Sequence, residues 1–321
     1  MDILITGGTG FFGKSLLPYL LSVLPTRGCD FTLTVLSRNT EAFLGANPQF
    51  RDIPHLVLHQ GDILDRSSLP TSKHYSHVIH AATDSTFGPR LSPLKRFDQI
   101  TTGTNNLLEF STQSGVQRFL YVSSGAVYGN QPPDLKGFDE AWQGSPDLSN
   151  PANAYGLGKR AAEHLCHLYQ DSFGIEVVIA RCFAFIGPSL PLDVHFAIGN
   201  FIRDALFSES VIVAGDGSPV RSYLDQTDLA HWLWTLLEQG ISGDAYNVGS
   251  DDAISVAELA HLVRDLIAPE KAVHILGSPN YLAGRNRYVP DIHKARSRHD
   301  LSVTVPLADA ILRTALSHQV S

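Results

Sequence analysis

The sequence predicts an α/β protein: a doubly wound parallel sheet with a smaller α/β lobe built mainly from the C-terminal third. Three observations predict it. Short aliphatic and β-branched runs alternate with helix-period segments from Asp2 onward, which implies right-handed βαβ crossovers and a parallel sheet. These runs are continuously apolar rather than alternating, as strands are when helices cover both faces of a sheet. The first run also leads directly into a glycine-rich turn that opens the first helical segment.

Asp2 to Thr6 reads as a buried strand ending in glycines. Lys14 to Leu24 reads as an apolar helix, with Pro25 just past its end. Phe31–Leu36, Leu56–Leu58 and His77–His80 read as the second to fourth strands. Gln99–Ser114 has helical periodicity and stops at Gly115, and Arg118–Val122 is the fifth strand. Ala152–Phe173 is a helix ended by Gly174, and Glu176–Ala180 is the sixth strand.

Beyond Gly187 the pattern is less regular. Pro188–Leu192 reads as a loop. His195–Phe207 and Asp228–Gln239 read as helices either side of the strand Val211–Ala214. Ser255–Ile267 and Leu307–Ser317 are further helices, the first opened by Ser255 with Glu258 three residues on, a capping box. Gly277–Tyr288 reads as a loop near the ligand. No internal repeat or low-complexity segment interrupts the chain.

With 43% hydrophobic and 17% charged residues, the chain carries enough apolar surface for an ordinary globular interior. A formal net charge of −8 excludes a broad basic surface, so nucleic acid is not an expected partner. Cys29, Cys166 and Cys182 fit neither a zinc site nor a disulfide framework. Met1–Thr6 carries no basic stretch leading into a long apolar one, and no apolar run reaches spanning length. The expectation is a cytoplasmic protein with reduced thiols, no metal and no membrane association.

The turn Thr6-Gly7-Gly8-Thr9-Gly10-Phe11-Phe12-Gly13 predicts dinucleotide binding. One glycine permits the tight turn, one lets backbone approach a pyrophosphate, and one lets helix pack on strand. The helix N-terminus then presents N–H groups and a positive dipole end to the phosphates. The second strand ends Val35-Leu36-Ser37-Arg38. Ser37 stands where NAD-binding units place an acid, and Arg38 suits a 2′-phosphate. NADP(H) is therefore favoured over NAD(H). Asp62 and Ile63 are placed near the adenine, and Ala81 and Ala82 line the cofactor. The domain expectation is 1–187, mainly a dinucleotide-binding Rossmann-like domain, and 188–321, mainly a substrate-binding lobe interleaved with the main sheet.

Tyr155 and Lys159 are four residues apart in a helical segment and share a face. A free phenol titrates near ~10 and a free ammonium near ~10.4, and a nearby ammonium favours the phenolate. Tyr155 can then exchange a proton with a hydroxyl while hydride moves to or from nicotinamide, and Lys159 can also hold the nicotinamide ribose. Ser124 lies at the C-terminal end of the fifth strand, where open α/β sheets bind ligands, and can hydrogen-bond the reacting oxygen.

The sequence resembles the extended short-chain dehydrogenase/reductase family, the NAD-dependent epimerase/dehydratase group. The resemblance rests on Thr6–Gly13, Ser123–Gly129, Tyr155 with Lys159, and Arg181–Pro188. Gly103-Thr104 with Asn106–Glu109, Arg221 with Asp228–Ala230, and Tyr246–Gly249 add to it. It covers nearly the whole chain in order. It implies Ser124, Tyr155 and Lys159 as a catalytic triad and a sugar nucleotide as small-molecule substrate. It also implies Arg221 at the substrate diphosphate, and a homodimer joined through the helices of Gln99–Ser114 and Ala152–Phe173. Arg287 is a second candidate for the diphosphate, Asn200 for a polar contact or a turn cap, and His195 for the sugar.

Family members that dehydrate a 4-keto intermediate carry an acid in the stretch that here reads Gly125-Ala126, and 3,5-epimerases carry a cysteine at the place of Ala126. Both chemistries need a second proton-transfer group, which glycine and alanine cannot supply. A C4 epimerase or a 4-ketoreductase of a nucleotide sugar remains, with Ser37-Arg38 leaning toward the reductase. Ala184, Ile100 and Asp225 depart from common family residues and mark a divergent subfamily. Two other readings stay open: a dehydrogenase of a non-sugar alcohol or ketone, which would not want Arg221 and Arg287, and a non-catalytic dinucleotide sensor, which would not need Ser124, Tyr155 and Lys159 together.

Overall fold

The structure is a computed structural model and describes residues 1–71, 73–83, 91–278 and 287–319. It opens with β1 (Asp2–Thr6), α1 (Phe11–Val23), β2 (Thr32–Ser37), α2 (Thr40–Ala46), β3 (Leu56–Gln60) and β4 (His77–His80). Then come α3 (Pro93–Gln113), β5 (Arg118–Ser124), α4 (Ala154–Phe173), β6 (Glu176–Cys182), β7 (Phe185–Ile186), α5 (Ala197–Phe207) and β8 (Ser210–Val213). β9 (Val220–Arg221), β10 (Leu224–Asp225), α6 (Gln226–Gln239), β11 (Ala245–Val248) and β12 (Ile254–Ser255) follow. The chain closes with α7 (Val256–Ile267), β13 (Ala272–Ile275), β14 (Arg287–Tyr288), α8 (His293–His299) and α9 (Leu307–Gln319).

The predicted doubly wound sheet is present, with seven strands in the order β11-β6-β5-β4-β1-β2-β3. β1 pairs in parallel with β2 on one side and β4 on the other, and β2–β3 and β4–β5 are also parallel. The order reverses between β1 and β4, the kind of crevice in which open α/β sheets take their ligands. Ile3, Leu4, Ile5, Val78, Ile79, Phe119 and Leu120 are wholly buried, as strands covered on both faces must be.

The chain divides into two compact units. One comprises 1–127, 145–181 and 230–246; the other comprises 128–144, 182–229 and 247–321. In the second unit β8 pairs in parallel with β13, and α5 packs on α7 and α9. Asp228, 3% exposed, accepts the backbone N–H groups of Thr304 and Val305 and the Thr304 hydroxyl, which ties the approach to α9 onto the start of α6. Among the described residues, no helix is long and apolar enough to cross a membrane.

Element boundaries differ from expectation where capping depends on backbone alone. α1 begins at Phe11 rather than Lys14, because Gly10 caps it without a side chain. α3 starts at Pro93 rather than Gln99, with Ser92 accepting the Lys95 N–H. α5 starts at Ala197, so His195 precedes the helix instead of opening it. The α7 capping box is formed by Ser255 and Glu258 as predicted. Of the expected Gly277–Tyr288 loop, 279–286 lie outside the described residues, and Arg287–Tyr288 is a strand rather than loop.

One buried polar relay positions the strand ends. Thr104 Oγ1 donates to Ile100 O at 2.7 Å, so it can only accept from His80 Nε2, at 3.1 Å. His80 Nδ1 is then the acceptor for Thr6 Oγ1 at 2.7 Å, and Thr6 Oγ1 in turn accepts the Ala82 N–H at 3.3 Å. This fixes a neutral imidazole, and full burial together with the Lys159 charge brings its pKa down to about 3. An unfolded histidine titrates near ~6.5. Below that pH the unfolded chain takes up a proton that the folded site rejects, so folding stability falls with pH between ~6.5 and about 3. Urea unfolding at pH 7, 6 and 5 should show a contribution from this site of about 0.7 kcal/mol over the first step and about 1.2 kcal/mol over the second. The variant His80→Gln should lose that part of the slope; an unchanged slope would reject the neutral-relay account.

Candidate active site

The glycine turn follows β1, and three of its four glycines are placed for three different reasons. Gly7 has φ of +74°, and a Cβ there would lie 2.6 Å from the Ala81 carbonyl carbon. Only glycine lets the turn press against Ala81 and Ala82 at the end of β4. A Cβ on Gly13 would stand 2.0 Å from the Gly8 carbonyl oxygen, so α1 meets its own turn at backbone contact. Gly10 differs: a Cβ would meet only the Gly7 carbonyl, at 3.5 Å, and no side chain caps the helix at this point. That leaves room for an acidic phosphate against the N-terminal turn of α1, where Phe11 and Phe12 set their rings edge to face at 6.1 Å. The cradle fits a dinucleotide pyrophosphate.

The β2 end lies beside this turn. Ser37 Oγ is 3.3 Å from Thr9 Oγ1 and accepts the Asn39 N–H at 3.4 Å. Arg38 is exposed. Asp62, just past β3, spends a carboxylate oxygen on the Leu64 N–H at 3.0 Å, while its own N–H donates to Ser68 Oγ. Ile63 is buried under α3: its carbonyl accepts Asn106 Nδ2 at 2.9 Å, and a Cβ on Gly103 would lie 2.5 Å from its Cδ1. Both residues thus have turn-building and packing roles whatever else they do.

Ser124 ends β5, is 6% exposed, and its Oγ accepts the Ala126 N–H at 3.2 Å. Tyr155 and Lys159 lie on the first two turns of α4. A Cβ on Gly156 would stand 2.5 Å from the Ala126 carbonyl oxygen, so the start of α4 touches the turn that follows Ser124. The structure therefore brings the tyrosine-bearing turn of α4 against the turn that follows Ser124. Tyr155 is half-buried against the main hydrophobic cluster, with the Arg96 guanidinium 4.3 Å over its ring.

Lys159 is 3% exposed. Its Nζ donates to Val122 O at 2.8 Å and Thr83 Oγ1 at 2.7 Å and lies 4.9 Å over the Tyr121 ring. One turn on, Glu163 accepts Ser123 Oγ at 2.5 Å and Arg181 Nη2 at 2.8 Å. That links β5, α4 and β6. Sequence reasoning did not find Thr83, Glu163 or Arg96; the four-residue step from Tyr155 through Lys159 to Glu163 was the available signal for the second.

The other named residues belong to the second unit. His195 is exposed and stacks at 4.3 Å on Phe196. Asn200 lies inside α5 and accepts Arg203 Nη1 at 3.3 Å. β9 and β14 pair in parallel, Arg221 with Tyr288 and Arg287 with Val220. Paired residues share a face and neighbours alternate, so Arg221 and Arg287 leave this ladder on opposite faces. Arg221 lies 5.9 Å over Tyr288, and burial lowers its pKa against the pull of Tyr223 and Tyr288. Arg287 Nε instead donates to Lys136 O at 2.9 Å. Asn247, wholly buried, accepts the Tyr128 hydroxyl and donates to Phe138 O and Asp291 O, a structural role for two of the motif positions.

With a glycine turn between β1 and α1 and a seven-stranded doubly wound sheet, the fold is that of the extended short-chain dehydrogenase type. The model of the NAD dependent epimerase/dehydratase family matches residues 3–249, and the chain belongs to that family. UDP-glucuronic acid decarboxylase 1 of Danio rerio is 30% identical over 317 residues, 97% of this chain and 71% of that protein. UDP-glucuronic acid 4-epimerase from Bacillus cereus, solved with UDP-glucuronic acid and NAD, has a TM-score of 0.83 at 24% identity over 100% of both chains. UDP-glucose 4-epimerase from Thermotoga maritima, solved with UDP-glucose, has a TM-score of 0.83 at 22% identity over 100% of this chain and 99% of that one. At these identities the two structures speak for the fold.

The Gly156 contact is directly testable. Gly156→Ala should force α4 off the Ala126 carbonyl and lower stability by about 1–3 kcal/mol. Gly45→Ala in α2, where a Cβ would meet nothing within 4 Å, should be neutral or stabilising by up to ~1 kcal/mol. Chemical denaturation of both variants checks the pair, and equal effects would sink the contact argument.

Proposed function

We propose that this enzyme moves hydride at C4 of a nucleotide sugar, as a C4 epimerase or a 4-ketoreductase. The observation that carries the reading is the close approach of Gly156 to the Ala126 carbonyl, which supports Tyr155 acting together with Ser124, while Gly125 and Ala126 bring no acid or base. The first unit would hold the dinucleotide through Gly7, Gly10, Phe11, Phe12 and Gly13, with Ser37, Arg38, Asp62, Ile63, Ala81 and Ala82 around its adenosine and nicotinamide halves. Bound there, it supplies the hydride acceptor or donor. Tyr155 takes the proton from the sugar hydroxyl as the carbonyl forms and returns it on reduction. Ser124 hydrogen-bonds the same oxygen. Lys159 holds a buried positive charge near the phenol and is a candidate for the nicotinamide ribose. In the second unit Arg221 is the candidate for the diphosphate, with Arg287, Asn200 and His195 as further substrate contacts.

A second reading comes from the decarboxylase relatives. A 4-keto uronate is a β-keto acid and loses CO2 readily, after which C5 needs a proton. The same three residues would begin that reaction, but neither Gly125 nor Ala126 offers the proton. A homodimer joined through α3 and α4 belongs to the proposal. Leu94, Phe97, Leu168 and Phe173 on those helices are exposed apolar side chains.

The test is incubation with UDP-sugars, UDP-glucuronate and 4-keto-6-deoxy nucleotide sugars, with each dinucleotide. Product interconversion without net change at the reduced-nicotinamide absorbance means an epimerase; net loss of that absorbance with a keto sugar means a reductase; CO2 release means the second reading. Tyr155→Phe should lower kcat by about 100-fold or more. A Tyr155→Phe variant with unchanged kcat would remove Tyr155 as the acid–base residue, and one that keeps full biological activity would point back to a dinucleotide sensor.

Ser37 and Arg38 support NADP(H) over NAD(H), the dinucleotide of the Bacillus cereus structure. A guanidinium suits a 2′-phosphate, and no carboxylate stands at position 37 to hold a 2′-hydroxyl. Arg38→Ala should weaken NADP(H) binding by about tenfold and leave NAD(H) nearly unchanged in a calorimetric titration. Equal, small effects would return the preference to NAD(H).

A further inference from the structure

α3 reaches α4 at unusually close range where the tyrosine sits. A Cβ on Gly158 would lie 3.3 Å from Ile100 Cδ1 and 3.5 Å from Phe97 Cα, so the absent side chain is what lets the first turns of α3 approach. Ser92 and Pro93 start α3, and the Arg96 N–H donates to Ser92 O at 2.9 Å in its first turn. This placement delivers the Arg96 guanidinium to 4.3 Å over the ring of Tyr155. Arg96 is half-buried at this point, as is Tyr155.

A guanidinium over a neutral phenol gains the attraction of the ring quadrupole. Over a phenolate it gains the attraction of a full negative charge as well, and the difference between the two favours ionisation. Among the described residues, the charged and titratable groups that the argument concerns are Arg96 from α3, Lys159 from the same helix as Tyr155 and the Tyr121 phenol from β5. Burial pushes the Tyr121 phenol well up, so it stays neutral and brings no competing charge. Lys159 donates to Val122 O and Thr83 Oγ1, while Arg96 is seated directly on the ring face.

We propose that Arg96 is a positioning residue for Tyr155, holding its ring against α3 and favouring the phenolate that accepts the substrate proton. This rests on the reading of Tyr155 as the acid–base residue. The test separates the two. Tyrosinate absorbance is titrated for the wild-type chain and for Arg96→Met and Arg96→Lys, each minus the same protein carrying Tyr155→Phe. No turnover is needed for this readout.

The expected result is that the Tyr155 transition moves up by about 1 pH unit in Arg96→Met and stays near the wild-type position in Arg96→Lys, which keeps the charge. In an enzyme that turns over, the acid limb of kcat should move with it. A wild-type titration in Arg96→Met overturns the proposal, even if activity falls. A shifted titration without any turnover supports it and counts instead against the reading of Tyr155. Circular dichroism establishes that Arg96→Met is folded; if it is not, Arg96→Gln takes its place in the same titration, with the same two outcomes.

Discussion

A buried ammonium at the meeting of α4, β5 and the segment after β4 sets the arrangement around it. Lys159 is almost fully removed from water, and an ammonium there is tolerated only if its donors are met. Val122 O, Thr83 Oγ1 and the Tyr121 ring meet them. These partners come from two stretches of chain, β5 and the segment after β4, so satisfying one charge fixes the helix against the strand end and against the end of β4. Glu163 repeats the device one turn further along α4, joining Ser123 and Arg181. A helix pinned twice on one face has little freedom to slide, and Tyr155 inherits that rigidity.

The same charge reaches the dinucleotide side. Lys159 is among the causes that keep His80 neutral. A neutral His80 can accept from Thr6, whose hydroxyl then accepts the Ala82 N–H. Ala81 and Ala82 in turn are the backbone that Gly7 meets at van der Waals limits. The glycine turn and Lys159 are thus linked through His80, by charge on one side and by hydrogen bonds through Thr6 to Ala82 on the other.

Much of the fold was legible because it depends on local pattern. Apolar runs identify β1, β2 and β4, the first leading straight into glycine, and Gly115 and Gly174 stop α3 and α4 where the left-handed conformation is needed. The start of α1 was not legible, since Gly10 caps it with backbone alone. The start of α3 had a readable signal in Ser92-Pro93 that the apolar period of Gln99–Ser114 obscured. The two-residue strands β9 and β14 carry no periodicity at all, and their pairing depends on partners more than sixty residues apart in the chain.

The sequence by itself determined the sheet class, the glycine turn after β1 and the placing of Tyr155 and Lys159 one turn apart on α4. Each of these is written in residues close together, where glycine spacing and the helical repeat leave few alternatives. Only the tertiary structure decided what surrounds them: Thr83 and Val122 on Lys159, Glu163 between Ser123 and Arg181, Arg96 over Tyr155, and Arg221 and Arg287 on opposite faces of one ladder. Those contacts join residues tens of positions apart, and no local rule selects one distant partner over another. Packing selects them, through close approaches such as those at Gly7, Gly156 and Gly158, which exist only once the helices have settled on the sheet.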